Sequence, residues 1–351
     1  MKSLIIGGGL SGLALANKLE ENGIDYQLLE ARARFGGRIK TEQHRTGYFD
    51  MGPAWFWPGQ TRIAALTERL GLEKFHQFAD GDLTYENERG QVQRGRGFAS
   101  MEGSWRLAGG FGALVDALLA NIPMDRRQLN ANVAIVKQGE TGVAATLASG
   151  ETITADHVIL SLPPRIAANI VYEPALPAAA ISAMQNIPTW MAGQAKAVAV
   201  YDTPFWRANG VSGDAQSRHG PMVEIHDASA AQGGPYALFG FLGVPPQARL
   251  DQQALQQQIM SQLVRLFGPE AREPVTLFVK DWAHDPQTAT KADQTPIYAH
   301  PSYRLPPSMV GHWDGQLHFS GTEVAPEFGG YLEGALEAAE NTLRFLTQVH
   351  N

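Results

Sequence analysis

Residues 2–30 read KSLIIGGGLSGLALANKLEENGIDYQLLE, and this stretch decides the fold. An apolar run over residues 4–6 is followed by glycines in G-x-G-x-x-G spacing and then by residues 13–19, which have the composition of a helix. A second apolar run over residues 26–29 ends at Glu30. The succession of strand, glycine turn, helix, strand and acid is typical of the first βαβ unit of a dinucleotide-binding domain.

Each glycine of the motif has a physical role in such a site. Gly7 permits the tight turn, Gly9 lets a pyrophosphate approach the backbone, and Gly12 lets helix and strand pack closely. The helix N-terminus offers free N–H groups to the phosphates, and Glu30 is spaced to accept hydrogen bonds from a ribose. A plain βαβ turn without a ligand is the alternative. Because both strands, the helix and the acid occur in register, we predict a nucleotide site.

Length and composition indicate a globular protein, and no nucleic-acid partner is predicted. The chain has 351 residues, enough for two domains, with 44% apolar and 18% charged residues. Its net charge of −7 and the absence of any Lys/Arg cluster argue against nucleic-acid binding. No apolar run approaches the roughly 20 residues of a membrane-spanning helix, so no transmembrane segment is predicted.

The chain contains no cysteine, which limits its chemistry. Disulfides, thiolate zinc sites, iron–sulfur clusters and any cysteinyl link to a cofactor are excluded. The ten histidines show no metal-ligand spacing, so no metal site is predicted. A cytoplasmic location is the simplest interpretation. Oligomeric state does not follow from the sequence.

Two segments after Glu30 add to the predicted ligand site. Residues 31–38, ARARFGGR, place two glycines between arginines, which suggests a backbone close to an anion. An ordinary turn with solvated arginines is the alternative. Residues 49–58, FDMGPAWFWP, form an aromatic loop. Core packing could explain its aromatics, but the interspersed Gly and Pro favour the wall of a flat-ligand site.

The rest of the chain has a readable secondary-structure pattern. Helices are predicted over residues 61–70, 113–119 and 251–267, and residues 75–104 are expected to form a short hairpin or loop. Strands are predicted over 131–136, 142–147, 151–153, 156–161, 195–201, 236–242 and 275–279. A glycine pair, Gly329-Gly330, opens a final helix that runs to about Gln348 and presents its N-terminus to an anionic or electron-rich group.

Lys196 lies inside an otherwise apolar predicted strand. Burying a lysine costs several kcal/mol unless the group is paired or hydrated, so Lys196 is a functional candidate. An edge or solvent-facing position is the alternative.

Taken together, these segments resemble the flavin-containing amine oxidase family, of the monoamine oxidase type. The matching segments occur in family order over nearly the whole chain. They are Gly7–Gly12, Glu30-Ala31-Arg32, Gly36-Gly37-Arg38, Asp50-Met51-Gly52, Arg106–Gly110, Val158–Pro164, Lys196, Tyr201–Arg207, Trp282–Pro286, Gly321-Thr322-Glu323 and Gly330–Ala335.

The resemblance implies an α/β (α+β) fold. A Rossmann-like FAD-binding domain would comprise residues 1–74, 105–184 and 284–351. A second, mostly antiparallel substrate domain would comprise residues 75–104 and 185–283.

The resemblance also implies a cofactor and site residues. FAD would lie extended in the first domain, with the glycine loop and Ser11 at the pyrophosphate and the backbone near Val133 over the adenine. Lys196 would hold a water near flavin N5, Trp282 would pack beside the ring, and Tyr331 would form one wall of an aromatic cage. The residues expected to contact FAD are Gly7, Gly9, Ser11, Gly12, Glu30, Arg32, Gly37, Arg38, Gly52, Pro53, Ala54, Trp55, Val133, Trp282, Gly321, Thr322, Glu323, Gly330, Tyr331 and Leu332.

Three departures from the family pattern affect these expectations. Lys291 stands where some members attach FAD through cysteine, so the FAD should be non-covalent. Ala292 stands where a second cage aromatic is usual, so the cage would be at best half present. Residues 75–104 replace a longer helical segment, so the pocket should be shallower, more open or closed by another subunit.

The leading hypothesis is an FAD-dependent oxidoreductase that takes a hydride from the carbon next to an amine nitrogen to flavin N5, with oxygen or another acceptor reoxidising the flavin. A small-molecule amine would be its substrate. The alternatives are an FAD-dependent desaturase or oxidase of carbon–carbon or tetrapyrrole-type substrates, an NAD(P)H-dependent reductase, and a non-catalytic flavin-binding protein.

Overall fold

The computed structural model describes residues 1–295, 297 and 299–350, of which residues 349 and 350 are described as backbone only. Residues 296, 298 and 351, which belong to the predicted segment 284–351, lie outside the described residues.

The described residues form strands and helices distributed over the whole chain. The strands are β1 Lys2–Ile6, β2 Asp25–Leu29, β3 Thr41–His44, β4 Gly47–Asp50, β5 Lys74–His76, β6 Asp82–Glu86, β7 Val92–Gly95, β8 Trp105–Leu107, β9 Arg127–Gln128, β10 Val133–Gln138, β11 Val143–Leu147, β12 Thr152–Ala155, β13 His157–Leu160, β14 Val171–Glu173, β15 Ala195–Tyr201, β16 Val211–Ser217, β17 Met222–Asp227, β18 Tyr236–Leu242, β19 Thr276–Asp281 and β20 Leu317–Phe319. The α-helices are α1 Leu10–Glu21, α2 Thr61–Arg69, α3 Gly110–Ala120, α4 Pro164–Ala167, α5 Ala178–Asn186, α6 Phe205–Ala208, α7 Gln252–Phe267 and α8 Leu332–His350. Short 3₁₀ turns occupy Met124–Arg126, Pro246–Arg249, Pro269–Arg272, Lys291–Gln294, Pro307–Met309, His312–Gly315 and Thr322–Val324.

A parallel sheet forms around the strand that the glycine motif follows. Its order is β20-β13-β1-β2-β9, so β1 is paired on both edges. The apolar sequence of β1 fits this position, because strands of parallel sheets are covered on both faces. Helix α1 packs against α8 and α3 over one face, in a core that includes Leu15, Phe111 and Leu336. The first βαβ unit is therefore the centre of this layer.

A smaller sheet adjoins the parallel sheet. Its order is β12-β11-β10-β14, with antiparallel pairing between β10, β11 and β12, which correspond to the strands predicted over 131–136, 142–147 and 151–153. β14 joins β10 in parallel and was not predicted. The apolar side chains of this four-stranded sheet share a core with β13 and β20.

The third sheet has the order β19-β15-β18-β17-β16-β6-β7 and is antiparallel except for the β16–β6 pair. The predicted strands at residues 195–201, 236–242 and 275–279 occur here as β15, β18 and β19. The region 75–104 contributes the β6–β7 hairpin to its edge. Helix α7 covers one face of the sheet through Ile259, Leu263 and Leu266.

Strands β16 and β17 were missed in the sequence. Both carry polar residues, such as Ser212, Asp214 and His226, that are buried in the structure. Alternation of apolar and polar residues therefore does not mark these strands.

The combination of a parallel sheet, antiparallel sheets and flanking helices confirms the predicted mixed α/β (α+β) fold class. In the described part of the chain, no helix is both long enough and apolar enough to cross a membrane.

Candidate active site

A cavity of about 700 Å³ extends from the parallel sheet to the seven-stranded sheet. On the parallel-sheet side, its wall is built where strands end: Gly7 follows β1, Glu30 follows β2, and Gly321 lies just after β20. This is the position at which open α/β sheets bind ligands. The opposite wall is a face of the antiparallel sheet, contributing Ala195, Lys196, Val223, Glu224, Phe241 and Gly243.

The glycine loop brings backbone, rather than side chains, to the cavity. Gly7 has a φ of +112°, in the region that favours glycine. A Cβ at Gly12 would lie 2.0 Å from the Gly7 carbonyl oxygen, and one at Gly37 would lie 3.1 Å from Gly9 Cα. Helix α1 starts at Leu10, and no side chain caps it. Its first N–H groups are therefore left for an anionic ligand.

Two predicted polar residues of this half are held by protein partners. Glu30 is buried and accepts hydrogen bonds from the backbone N–H groups of Gly8 (2.8 Å) and Arg32 (2.9 Å). The Ser11 hydroxyl donates to the Ser320 carbonyl oxygen. Ser11 can therefore offer a cavity ligand its backbone, but its hydroxyl proton is already used.

The two predicted arginines are oriented by carboxylates. Arg32 donates from Nη2 to Asp285 (2.7 Å) and to Thr288 (2.8 Å). Arg38 lies 2.6 Å from the carboxylate of Glu323. The guanidinium groups are fixed at the cavity wall by these contacts, which the sequence did not indicate.

The glycine pair before α8 forms a turn at the other side of the cavity. Thr322 accepts a hydrogen bond from Gly330 N–H (3.0 Å) and donates to the Tyr331 carbonyl oxygen (2.9 Å). Gly330 has a φ of +85°. This turn directs the N-terminus of α8, beginning at Leu332, toward the cavity, as expected.

Lys196 is buried in the cavity wall, so its predicted burial is confirmed. Its Nζ donates to the Gly52 carbonyl oxygen (3.2 Å) and lies 4.1 Å from the ring centre of Phe239 and 5.4 Å from that of Trp55. Burial lowers the pKa of Lys196 to about 7, although the charge of Asp50 acts in the opposite direction. Lys196 is therefore a lysine that can change its protonation state near neutral pH.

The aromatic loop is divided between the core and the cavity. Phe49 and Phe56 are fully buried, whereas Trp55 and Trp57 line the cavity. Trp55 packs against Phe239 with a centroid distance of 5.0 Å. Core packing therefore explains Phe49 and Phe56, and the predicted role as the wall of a ligand site applies to Trp55 and Trp57.

Trp282 also lines the cavity and is held in place by a hydrogen bond to the aromatic loop. Its indole N–H donates to the Met51 carbonyl oxygen (2.9 Å), and the Lys280 ammonium lies 4.5 Å from its ring centre. Lys280 also pairs with Asp285 (2.8 Å), the carboxylate that holds Arg32. The charged side chains of Lys280 and Asp285 thus connect Trp282 to Arg32, and both Trp282 and Arg32 line the cavity.

Tyr331 lines the cavity and stacks on His300, with ring centres 4.8 Å apart and planes 9° apart. Trp190, which also lines the cavity, meets His300 edge-on at 4.8 Å. Lys291 and Ala292 are exposed and do not line the cavity. The aromatic neighbours of Tyr331 are thus residues that the sequence pattern did not single out.

Three predicted cofactor residues are not in the cavity lining. Gly12 packs behind the glycine loop, and Val133 lies at the start of β10 in the core shared with β13. Glu323 is fully buried behind Arg38. The other predicted residues all line the cavity.

Several lining residues were missed in the sequence. They are Trp190, Gln194, Glu224, Phe241, Gln287 and Thr288, together with Ser161 and Leu162 after β13. Ser161 is the last residue of the strand predicted over 156–161, and this position at a strand end could have been used to find it. No sequence signal pointed to Glu224, because the strand that carries it, β17, was not predicted.

The residues present fit a flavin dinucleotide. Glycine backbones provide close approach at one end, and two helix N-termini face the cavity. The Ser161 hydroxyl and Oε2 of Glu323 are buried without a hydrogen-bond partner among the described residues, whereas Oε1 of Glu323 lies against Arg38. Such groups are rare in folded proteins and indicate a missing polar partner. Among these residues, no group of three or more His, Asp or Glu is placed to hold a metal ion.

Comparison with known proteins identifies the family. The family model described as flavin containing amine oxidoreductase matches residues 10–98 and 97–342. The chain belongs to this family. Membership confirms the predicted family, the FAD cofactor and the class of enzyme, an FAD-dependent amine oxidoreductase.

The chain has several similar proteins that match almost end to end. A probable flavin-containing monoamine oxidase A from Dictyostelium discoideum is 22% identical, covering 95% of each chain. A putative flavin-containing monoamine oxidase from Mycobacterium tuberculosis is 25% identical over 96% of this chain and 94% of its own. The first alignment spans 442 positions, so that relative has segments that this amine oxidoreductase lacks.

Solved structures have the same fold. A putrescine oxidase bound to putrescine superimposes with a TM-score of 0.82 at 21% identity, covering 99% of each chain. A cyclohexylamine oxidase from Brevibacterium oxydans gives a TM-score of 0.80 at 20% identity, covering 100% of this chain and 99% of its own.

Proposed function

We propose that this amine oxidoreductase oxidises the carbon next to the nitrogen of a small primary or secondary amine in the cavity between the two main sheets. The observation that carries the proposal is Lys196, a buried ammonium on an aromatic wall that faces the carboxyl ends of the parallel strands across one cavity. FAD, when bound, supplies the ring that accepts the electrons. The protein's own residues bind it, orient the amine and control protons.

We propose that residues 1–74, 105–184 and 284–351 hold FAD, and that residues 75–104 and 185–283 hold the substrate. Support for this division comes from the parallel sheet, which carries the glycine loop, Glu30 and the N-termini of α1 and α8. Ser161 and Glu323, with buried polar atoms that lack partners among the described residues, belong to the same half. The remaining predicted contacts, including Gly12 and Val133, stay predictions.

The substrate wall favours a neutral amine at the reacting position. Trp55, Phe239 and Phe241 surround Lys196 with rings, and this environment disfavours a second positive charge. A neutral amine keeps the nitrogen lone pair that assists hydride loss from the adjacent carbon. We propose that Lys196 orders a water beside the reacting atoms, and that Trp282 and Tyr331 form the walls next to them.

The FAD is proposed to be held without a covalent bond, because the chain has no cysteine. Denaturation with acid should release all of the flavin into the supernatant. Flavin that stays with the precipitated protein would contradict this. A cytoplasmic location and the identity of the electron acceptor stay predictions.

The proposal is tested by anaerobic reduction of the purified yellow protein. Alkylamines, arylalkylamines, unsaturated hydrocarbons, a tetrapyrrole and NADPH are mixed separately with the oxidised enzyme, and the flavin absorbance is followed. We expect amines alone to bleach the flavin. Bleaching by the hydrocarbon or the tetrapyrrole would favour the desaturase alternative, and rapid bleaching by NADPH would favour a reductase. If nothing bleaches it, a non-catalytic flavoprotein is indicated.

A further inference from the structure

The substrate half of the cavity contains one carboxylate that the proposed chemistry does not use. Among the described residues that line the cavity, Glu30 and Glu224 carry carboxylates. Glu30 lies where β2 ends, and Glu224 lies on β17 in the opposite wall. Glu224 is therefore the negatively charged group of the substrate wall.

Glu224 lies in one cross-strand row with Lys196. In the antiparallel register, Lys196 of β15 pairs with Phe241 of β18, and Phe241 pairs with Glu224 of β17. Directly paired residues of neighbouring strands project from the same face of a sheet. The backbones at Lys196 and Glu224 are thus two strand spacings apart, about 9–10 Å, with the Phe241 ring between their side chains.

One oxygen of the Glu224 carboxylate is free to bind a ligand. Oε1 accepts hydrogen bonds from His226 (2.8 Å) and from the Ser100 hydroxyl (2.8 Å). Oε2 accepts none from the described residues. The side chain is 31% exposed, and it lines the cavity. The two contacts fix the carboxylate and leave its second oxygen without a hydrogen-bond partner among the described residues.

The buried neighbours of Glu224 keep its charge in place. His226 has Asp214 at 2.5 Å from Nδ1 and Glu224 at 2.8 Å from Nε2, so the ring donates to both carboxylates. Burial lowers the pKa of His226, but these hydrogen bonds outweigh it and raise the pKa overall. The hydrogen bond from His226 holds the pKa of Glu224 below its ordinary value, against the effect of burial. Two carboxylates and one imidazolium leave a net negative charge.

We propose that Glu224 binds a second, positively charged amino group of the substrate, so that the enzyme prefers diamines or polyamines with a short methylene chain between the two nitrogens. This inference rests on the proposed amine oxidation. The reacting nitrogen lies neutral among the rings beside Lys196, and the distal nitrogen lies as an ammonium against Glu224. Phe241, between the two, packs against the methylenes.

The inference is tested with matched pairs of substrates in anaerobic stopped flow. Diaminobutane, diaminopentane and diaminohexane, with amino groups at both chain ends, are compared with butylamine, pentylamine and hexylamine. The concentration dependence of flavin reduction gives a Kd and a limiting rate for each. We expect at least one diamine to bind about ten- to a hundredfold tighter than its monoamine, the range of a charged hydrogen bond.

The Glu224→Gln variant removes the charge and keeps the size of the side chain. We expect the Kd of the preferred diamine to rise about ten- to a hundredfold relative to that of its monoamine, so that the preference for the diamine is lost. Glu270→Gln, an exposed site outside the cavity lining, is the matched control and should leave that preference unchanged. Glu224→Asp keeps the charge on a shorter stem. It should retain the diamine preference but favour the next longer chain.

The outcomes separate the two proposals. If wild-type enzyme oxidises monoamines and binds no diamine more tightly, the role of Glu224 is overturned and amine oxidation stands. Equal losses for monoamines and diamines in Glu224→Gln would also overturn it, because they indicate a purely structural role. If no amine reduces the wild-type flavin, the proposed function fails, and this inference fails with it. The wild-type comparison remains decisive even if Glu224→Gln does not fold.

Discussion

The two walls of the cavity carry different kinds of charge. On the parallel-sheet side, glycine backbones and the helix N-termini of α1 and α8 provide partial positive charge, and the full charges of Arg32 and Arg38 are paired with carboxylates. On the antiparallel side, whole charges are buried: Lys196 among aromatic rings, and His226 between two carboxylates. Backbone dipoles suit a ligand that is held in one position, whereas side-chain charges can change protonation state during a reaction.

The two sheets behind these walls also differ in their histidines. His157 and His318, on neighbouring parallel strands, lie with ring nitrogens 3.2 Å apart, and burial lowers the pKa of both. His226 on the antiparallel side has its pKa raised by two carboxylates, which outweigh burial. The parallel sheet therefore contains two neutral histidines, and the seven-stranded sheet contains a charged one. Acid should therefore protonate His157 and His318 at a cost to stability, whereas His226 is already protonated.

The largest effect is expected for Gly12→Ala, which should abolish flavin binding on the parallel-sheet side. In Gly12→Ala the new methyl group would lie 2.0 Å from the Gly7 carbonyl oxygen, so the helix and the turn must move apart. We expect the purified variant to have lost its bound flavin. Absorbance at the flavin band per mole of protein measures this.

Gly95→Ala is the control for that variant. A methyl group added at Gly95 would meet no neighbouring atom within 4 Å, so the substitution should leave flavin content unchanged. A Gly12→Ala protein with a full complement of flavin would show that the close packing of turn and helix is not needed on the parallel-sheet side.

A substitution on the antiparallel side should leave the flavin bound and slow the reaction. Lys196→Met removes the buried ammonium but keeps an apolar stem against Trp55 and Phe239. We expect normal flavin content, with flavin reduction or reoxidation by oxygen slowed on the order of a hundredfold. Stopped flow of each half-reaction identifies the affected step.

The pH dependence sharpens this result. Because burial lowers the pKa of Lys196 to about 7, the lysine is charged below that pH and neutral above it. The wild-type rate of the affected step should therefore change near pH 7, and Lys196→Met should lose that inflection. Two unchanged half-reactions would contradict a role for Lys196.

The smallest expected effect concerns stability in acid. Burial lowers the pKa of His318 to about 4, below its value of about 6.5 in the unfolded chain. The unfolded chain binds the proton first, so this contribution is complete above pH 6.5 and is lost as the pH falls toward 4. We expect about 2 kcal/mol of unfolding free energy to be lost over that range. Chemical denaturation at a series of pH values measures it.

His318→Phe should flatten that part of the profile, since it removes the titrating ring while keeping an aromatic group beside Phe345. The contribution of His226 has the opposite sign: its raised pKa makes it complete at low pH and lost as the pH rises through the raised value. A wild-type profile without loss between pH 6.5 and 4 would contradict the assignment of a neutral histidine pair.

Local sequence determined most of the parallel-sheet wall. The turn at Gly7, the tight packing at Gly12 and the glycine before α8 depend on a few consecutive residues, because φ and short-range contact fix them. The apolar runs of β1 and β13 likewise indicate strands covered on both faces. These features were therefore predictable, together with the burial of Lys196 in β15.

Tertiary structure alone decided the partners and the opposite wall. Glu323 meets Arg38, and Asp285 meets Arg32, over long separations in sequence that no local pattern encodes. Strands β16 and β17 carry buried polar residues whose partners lie on other strands, so their sequences do not alternate in polarity. Glu224 therefore became visible only when the sheet register placed it in one row with Lys196. Ring stacking at Tyr331 likewise depends on His300, brought from another loop by the fold.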